Sequence, residues 1–173
     1  MLPSATDSAL RRWQVHVQPA GPTDTNAPPA SLDVLLIRLD GELYALPSQQ
    51  VREVLRYRDY TPVPGAPASL PGILSQRGQI VPVVNPYPLL GLASPPITRA
   101  TRLVFTSHAE TDMALLAEAV IDLLALPADT IQPPPSALDP ARARLLRGVA
   151  QHDDQVIALL DLDELIATLR AGD

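Results

Sequence analysis

Four prolines in residues 62–71, followed by a short bend, restrict this chain more than any other feature. They lie at Pro62, Pro64, Pro67 and Pro71, and they exclude a helix interior. Residues 72–76 and 79–84, on either side of Arg77-Gly78, have the composition of short β-strands. Gly78 supplies the backbone freedom that a tight bend needs. The sequence therefore predicts a β-hairpin that presents Arg77 at its tip.

The guanidinium of Arg77 indicates recognition and not catalysis. Its planar group can donate two parallel hydrogen bonds to a carboxylate. Held at a hairpin tip, such a group suits contact with a protein surface.

Charge and aromatic content argue against nucleic acid and against membranes as partners. The chain has no lysine, 13 scattered arginines and a net charge of −6, whereas nucleic-acid binding calls for a basic stripe. Aromatic residues make up 3%, too few for base-stacking platforms. The most apolar run, residues 113–126, is interrupted by Glu118 and Asp122, which argues against membrane insertion.

The absence of cysteine excludes disulfides, thiolate catalysis and zinc–cysteine sites together. Residues 1–30 lack the continuous apolar core of a signal peptide, since Arg11 and Arg12 interrupt the one candidate. With 46% hydrophobic residues, the chain can bury one core or two smaller ones. We therefore expect a soluble, cytoplasmic protein.

Residues 1–31 are rich in Pro, Ala, Ser and Thr with little apolar periodicity, which predicts a flexible N-terminal arm. Within this arm, only residues 10–17 have enough apolar residues to adopt an ordered structure. Trp13, within them, is either a lone hydrophobe in a tail or part of a docking peptide.

Two further hairpins follow from local signals. Asp40-Gly41 separates strand-like residues 34–39 and 42–46, and this pair suits the positive φ of a two-residue turn. Asp153-Asp154 separates residues 148–152 and 155–160 in the same way. Residues 50–57 and 102–106 also have strand character.

A helix is predicted over residues 161–170. Asp161 is its N-cap, Glu164 stands three residues on as in a capping box, and Gly172 follows its end. Residues 113–126 carry conflicting signals, since their Ala, Leu, Met and Glu favour helix.

No catalytic or metal-binding pattern stands out. His16, His108 and His152 are far apart in sequence, without a carboxylate at ligand spacing, so each is expected in a loop or at the surface. The acidic residues at 153–164 lack calcium-loop spacing. No cofactor motif is present. A hydrolytic or small-ligand-binding β-domain stays an alternative, on the strength of the Gly- and Pro-rich loops alone.

Several blocks, in order from about residue 34 to 169, resemble the CheW-like coupling domain of bacterial chemosensory systems. They are Leu43-Tyr44-Ala45-Leu46-Pro47, Val51-Arg52-Glu53-Val54-Leu55, Thr61 to Pro67, Gly72 to Val84, Ile131 to Pro135, Leu146-Arg147-Gly148-Val149 and Leu159-Leu160-Asp161-Leu162-Asp163. No single block would be specific, but their order is.

This resemblance implies an all-β, CheW-like fold: two five-stranded β-barrel subdomains, a C-terminal helix and short connecting helical turns. It favours strands over residues 113–126. The domain would span residues 32–170 after the 1–31 arm, with a first half at about 33–98, a second at 99–160 and the helix at 161–170.

The resemblance also implies a non-enzymatic adaptor without a cofactor, which binds a chemoreceptor's cytoplasmic tip and the regulatory domain of a CheA-type histidine kinase. By position, Glu53 and Arg77 match the family's partner-binding glutamate and arginine and are expected to pair. Val51, Gly72 and Gly78 match the same surface region.

The chain departs from the family pattern at three places. Ser75-Gln76 replaces the usual Asn-Leu, Asn85-Pro86 replaces Asp-Leu, and residues 114–118 lack a glycine. These changes leave open a divergent member that serves a type IV pilus or another chemosensory pathway. They also leave open a competitor that binds one partner without coupling.

Overall fold

The computed structural model describes residues 30–172. Its strands are β1 (Ser31–Leu39), β2 (Glu42–Pro47), β3 (Val51–Arg56), β4 (Thr61–Pro62), β5 (Gly72–Gln76), β6 (Gln79–Val84), β7 (Arg102–His108), β8 (Thr111–Ala117), β9 (Ala119–Pro127), β10 (Leu146–His152) and β11 (Gln155–Leu160). Its helices are α1 (Pro140–Arg144) and α2 (Leu162–Arg170), with 3-10 turns at Ser48–Gln50 and Ala128–Thr130. The predicted arm, with Trp13, lies outside the described residues except for residues 30 and 31, and Ser31 begins β1.

Two sheets make up the fold. The first has the order β10-β11-β2-β1-β9, and the second has the order β3-β7-β8-β6-β5-β4. The second sheet has five longer strands and the two-residue β4. This arrangement confirms the predicted all-β class with two β subdomains.

Each sheet takes strands from both halves of the chain. β1 and β2 lie with β9, β10 and β11, whereas β3 to β8 form the second sheet. Parallel pairings of β11 with β2 and of β6 with β8 join distant segments. A division of the chain at residue 98 therefore separates β3 to β6 from β7 and β8, which belong to the same sheet. It does not divide the first sheet from the second.

The three predicted hairpins are confirmed. Asp40 and Gly41 have φ of 50° and 77°, and Arg77 and Gly78 have φ of 51° and 78°. Asp153 and Asp154 also have positive φ. These left-handed conformations suit the twist of the paired strands.

Residues 113–126 form strands, as the resemblance implied. Met113, Leu115 and Ala117 of β8 face one core cluster, and Ala114 and Leu116 face another. Because both faces of β8 are buried here, residues 113–117 are apolar throughout and show no alternation. Burial on both sides of β8 outweighs the helix propensity of these residues.

Helix α2 starts where predicted, but its capping box is only half formed. The N–H of Glu164 donates to Asp161 Oδ1 at 3.2 Å. The backbone N–H of Asp161 donates to the carbonyl of Leu145 at 2.8 Å, so Glu164 is not its partner. Asp161 therefore caps α2 and also ties it to the start of β10.

The largest core cluster lies between the two sheets and α2. Its members include Leu35, Leu46, Val84, Val104, Leu115, Leu160, Leu162 and Leu165. Separate clusters fill the interior of the first sheet, around Leu36 and Leu159, and of the second, around Val83 and Leu103. The shared cluster holds the sheets and the helix together.

Two tyrosines are buried in the shared cluster. Burial raises the pKa of Tyr44 far above its usual range, and the hydrogen bond from its hydroxyl to Glu42 adds to this. Burial also raises the pKa of Tyr87 to about 12, with the Glu118 carboxylate contributing. Both side chains stay neutral at pH values where an exposed tyrosine ionises.

The protein should lose stability as the pH rises above about 10, the usual tyrosine pKa. Both pKa values are raised by folding, so above pH 10 the folded chain holds protons that the unfolded chain has released. The stabilisation from Tyr87 is complete below about pH 10 and is lost progressively as the pH rises from about 10 to about 12. Each tyrosine should contribute a slope of about 1.4 kcal/mol per pH unit.

Urea unfolding at pH values between 9 and 11 measures this slope. The Tyr87→Phe variant should show a slope smaller by the contribution of one tyrosine. An unchanged slope would mean that the Tyr87 hydroxyl ionises equally in both states.

Candidate functional site

Glu53 lies on β3, where a bulge shifts the pairing with β7. Val51 pairs with Thr106 and Glu53 pairs with Phe105, so Arg52 is the extra residue. The Glu53 side chain is 28% exposed. The bulge therefore sets a half-buried carboxylate at the edge of the second sheet.

The β5–β6 hairpin brings Arg77 to this carboxylate. Arg77 Nη2 donates to Glu53 Oε1 at 3.1 Å, and the Arg77 side chain is 78% exposed. The expected pairing of Glu53 with Arg77 is therefore present. At this exposure an ion pair contributes at most about 1 kcal/mol to stability, so most of the guanidinium stays open to a partner.

Two further side chains brace the hairpin. Gln76 Nε2 donates to Glu53 Oε2 at 3.2 Å, so both carboxylate oxygens are held by the hairpin. Arg58 Nη2 donates to the carbonyl of Ser75 at 2.6 Å and to Gln76 Oε1 at 2.7 Å. Gln76 stands where the family has leucine, and here it gives Glu53 a second donor.

An open depression of about 690 Å³ lies beside this network. Its charged lining residues are Arg52, Arg77, Glu53, Glu110 and Asp112. Phe105 and Val81 supply its apolar floor. A surface of mixed charge around an apolar patch can bind a polypeptide with complementary charges.

The other predicted site residues carry no charged group and differ in their surroundings. Val51 is half-buried and packs against the shared core. Gly72 is buried, and a Cβ built there would lie 2.3 Å from the carbonyl oxygen of Thr61 on β4. Gly78 is exposed at φ 78° with open space around it. Glu53 and Arg77 are thus the two members of the set whose charged groups meet.

A second polar cluster lies on the first sheet and has no local sequence signal. The hydroxyl of Tyr44 donates to Glu42 Oε2 at 2.7 Å, and Arg142 Nη2 contacts both Glu42 Oε2 and the Tyr44 hydroxyl. Arg142 is about 100 positions away from Glu42 and Tyr44 in the sequence. The cluster fastens α1 to β2.

His108 is not the loop or surface histidine that its sequence context predicts. Its Nε2 lies 2.7 Å from Asp163 Oδ1, and its Nδ1 lies 3.0 Å from Gln50 Nε2. Because the Gln50 amide nitrogen can only donate, Nδ1 accepts and Nε2 carries the proton to Asp163. The histidine therefore links β7 to the first turn of α2.

An apolar groove of about 170 Å³ runs between α2 and the second sheet. Leu70, Pro82, Met113, Ile166 and Leu169 line it. Local sequence patterns do not predict this groove, because its walls come from four separate segments of the chain. In residues 30–172, no helix is long and apolar enough to cross a membrane.

Comparison with known proteins identifies the family. Residues 33–170 match the family model described as the CheW-like domain. Protein FrzA of Myxococcus xanthus is 32% identical over 126 residues, covering 72% of this chain and 79% of its own length. Chemotaxis protein CheW of Treponema pallidum is 22% identical over 139 residues, covering 78% of this chain and 82% of its own.

A solved structure has the same fold. It is the scaffolding protein TtCheW from Thermoanaerobacter tengcongensis, which aligns with a TM-score of 0.71 at 24% identity over 83% of this chain and 91% of its own. The family match over residues 33–170 and the identity with FrzA agree with this fold. The chain belongs to the CheW-like family of non-enzymatic chemosensory adaptor and scaffold proteins.

Proposed function

We propose that this chain couples a chemoreceptor's cytoplasmic tip to the regulatory domain of a CheA-type histidine kinase. Membership of the CheW-like family supports this role. Since both partners are cytoplasmic, the proposed place of action is the cytoplasm. The receptor-facing patch is the Arg77 hairpin with Glu53, beside the depression floored by Phe105.

One observation carries the assignment of this patch. Arg77 is 78% exposed, although the hairpin below it is fixed by hydrogen bonds from Gln76 and Arg58. A charged group that is both exposed and held in place loses little freedom when a partner binds. Gly78 shapes the turn, while Gly72 and Val51 anchor the strands beneath it.

A coupler should bind both partners and should bring kinase activity under receptor control. We expect titration calorimetry to detect binding to a CheA-type regulatory domain and to a receptor tip fragment, with the three proteins forming one complex. In a reconstituted kinase assay, addition of the chain should make kinase activity respond to the receptor's ligand. Separate binding to each partner, with no ternary complex, would contradict coupling.

The Gln76 substitution favours one alternative, a competitor that binds a single partner. Gln76 and Arg77 both donate to Glu53, which leaves the carboxylate less free for a partner than a lone ion pair would. A competitor should lower the receptor-dependent kinase activity that another adaptor of the same cell supports. A coupler should sustain that activity when it replaces the other adaptor, so the assay separates the two functions.

A further inference from the structure

Strand β9 leaves an apolar edge open at the end of the first sheet. Among residues 30–172, β9 pairs with β1 and with no second strand. Ile121 and Leu123 of β9 are 40% and 65% exposed. Strands of this kind readily pair with another strand unless something covers them.

One backbone N–H group of β9 donates its hydrogen bond to a side chain of the same strand. The N–H of Leu123 donates to Asp122 Oδ1 at 2.7 Å. A backbone carbonyl from an added strand could replace the carboxylate as acceptor. Asp122 would then be free to pair with a cation on the added strand.

The N-terminal segment joins the described structure at this edge. The carbonyl of Ala30 accepts the N–H of Ala128 at 2.9 Å, and Ser31 pairs with Pro127 at the end of β9. Twelve residues separate Val17 from Ala30. They can span about 40 Å, which exceeds the roughly 30 Å length of β9. So short a tether gives residues 1–29 a high effective concentration at β9.

The sequence of this segment suits a strand. Trp13, Val15 and Val17 alternate with Gln14 and His16, the period-two pattern of a strand with one apolar face. Arg11 and Arg12 precede this run. Their charge is opposite to that of Asp122, which lies between the two exposed apolar residues of β9.

We propose that residues 13–17 pair in cis with the open edge of β9, with Trp13, Val15 and Val17 covering Ile121 and Leu123. Arg11 or Arg12 then meets the carboxylate of Asp122. The pairing covers an apolar edge that would otherwise invite association with other chains. This inference is independent of the proposed coupling function, since it involves neither Glu53 nor Arg77.

Trp13 is the only tryptophan in the chain, so its fluorescence reports this pairing directly. In the full-length protein we expect blue-shifted emission and weak quenching by acrylamide. A synthetic peptide of residues 1–29 provides the reference for a solvent-exposed indole. The emission should not change on dilution, because the pairing is intramolecular.

Two matched pairs of variants test the contact. Leu123→Asp should shift the emission to that of the peptide, whereas Val156→Asp, at a residue 58% exposed on β11, should leave it unchanged. Val15→Asp should have the effect of Leu123→Asp, whereas Gln14→Asp should not. Because residues 14 and 15 precede the described residues 30–172, this second pair tests the contact without a substitution in the described fold.

Three results would overturn the proposal. Wild-type emission and quenching equal to those of the peptide would mean that Trp13 does not dock. A blue shift that survives both Leu123→Asp and Val15→Asp would place Trp13 elsewhere. A blue shift lost on dilution, together with a fall in mass from dimer to monomer, would mean that the segment pairs with a second copy.

Discussion

Replacing Gly72 by alanine should destabilise the protein by about 2–4 kcal/mol, the sum expected for an overpacked buried site and displaced strand hydrogen bonds. The added Cβ would lie 2.3 Å from the Thr61 carbonyl oxygen and 2.5 Å from Tyr60 Cδ2. Thr61 and Pro62 form β4, which pairs with β5 over Gly72. Since the nearest obstacle is backbone, β4 has to move away for the methyl group to fit.

Urea unfolding measures this loss, and Gly78→Ala is the matched control. Gly78 has open space around it, so alanine there costs only the strain of a positive φ, about 1 kcal/mol. Partner affinity of the folded Gly72→Ala protein should change little, because Gly72 lies at the far end of β5 from Arg77. Gly72→Ala stability within 1 kcal/mol of wild type would show that β4 yields without cost.

Gly148 in the first sheet, like Gly72 in the second, lies where a neighbouring backbone carbonyl leaves no room for a Cβ. A Cβ there would lie 2.6 Å from the Gln132 carbonyl oxygen, and Gln132 bridges to Val149 beside it. Gln132 follows β9 and contacts β10, the two outer strands of the first sheet. Thr61 likewise follows β3 and contacts β5 at the opposite side of the second sheet. In both sheets a glycine lets the chain cross from one edge toward the other.

The three hairpins could be predicted because their turns are local. Asp40-Gly41 has the residue types that favour positive φ, Gly78 provides this freedom in the second turn, and the flanking residues have strand composition. Helix α2 was predictable for the same reason, from the cap at Asp161. The short helix α1 escaped prediction although its signal is present, since Asp139 caps it and Pro140 occupies its first position.

Strand order could not be predicted from turns and composition, because the partners are far apart in sequence. Periodicity assigns a residue to one face of a strand, but it does not say which strand lies beside it. The contacts of Arg142 with Glu42 and of His108 with Asp163 depend on that order. Each joins segments more than 50 residues apart, so no local motif contains both partners of either contact.

The Glu53–Arg77 pair was predictable only through resemblance to a family. Nothing local to β3 indicates that its carboxylate meets a hairpin 24 residues away. The role of Gln76 followed from neither route, because the family has leucine there. Its amide matters only once the bulge at Arg52 has fixed the position of Glu53.

Reversing the charge at Arg77 should weaken receptor binding at least about tenfold, or about 1.4 kcal/mol, while leaving the fold intact. Arg77→Glu removes an exposed guanidinium and places a second carboxylate beside Glu53, which repels an acidic partner surface. Stability should change by no more than about 1 kcal/mol, because the pair is exposed. Arg144→Glu on α1 makes the same change in net charge and should leave binding unchanged.

The charge-swapped variant Glu53→Arg/Arg77→Glu separates recognition from positioning. It restores an ion pair between β3 and the hairpin but presents a carboxylate at the tip. If the partner contacts the Arg77 guanidinium, calorimetry should show receptor binding as weak as for Arg77→Glu alone. Binding restored by the swap would mean that Arg77 only holds the hairpin in place, and unchanged binding by Arg77→Glu itself would exclude the patch as the receptor site.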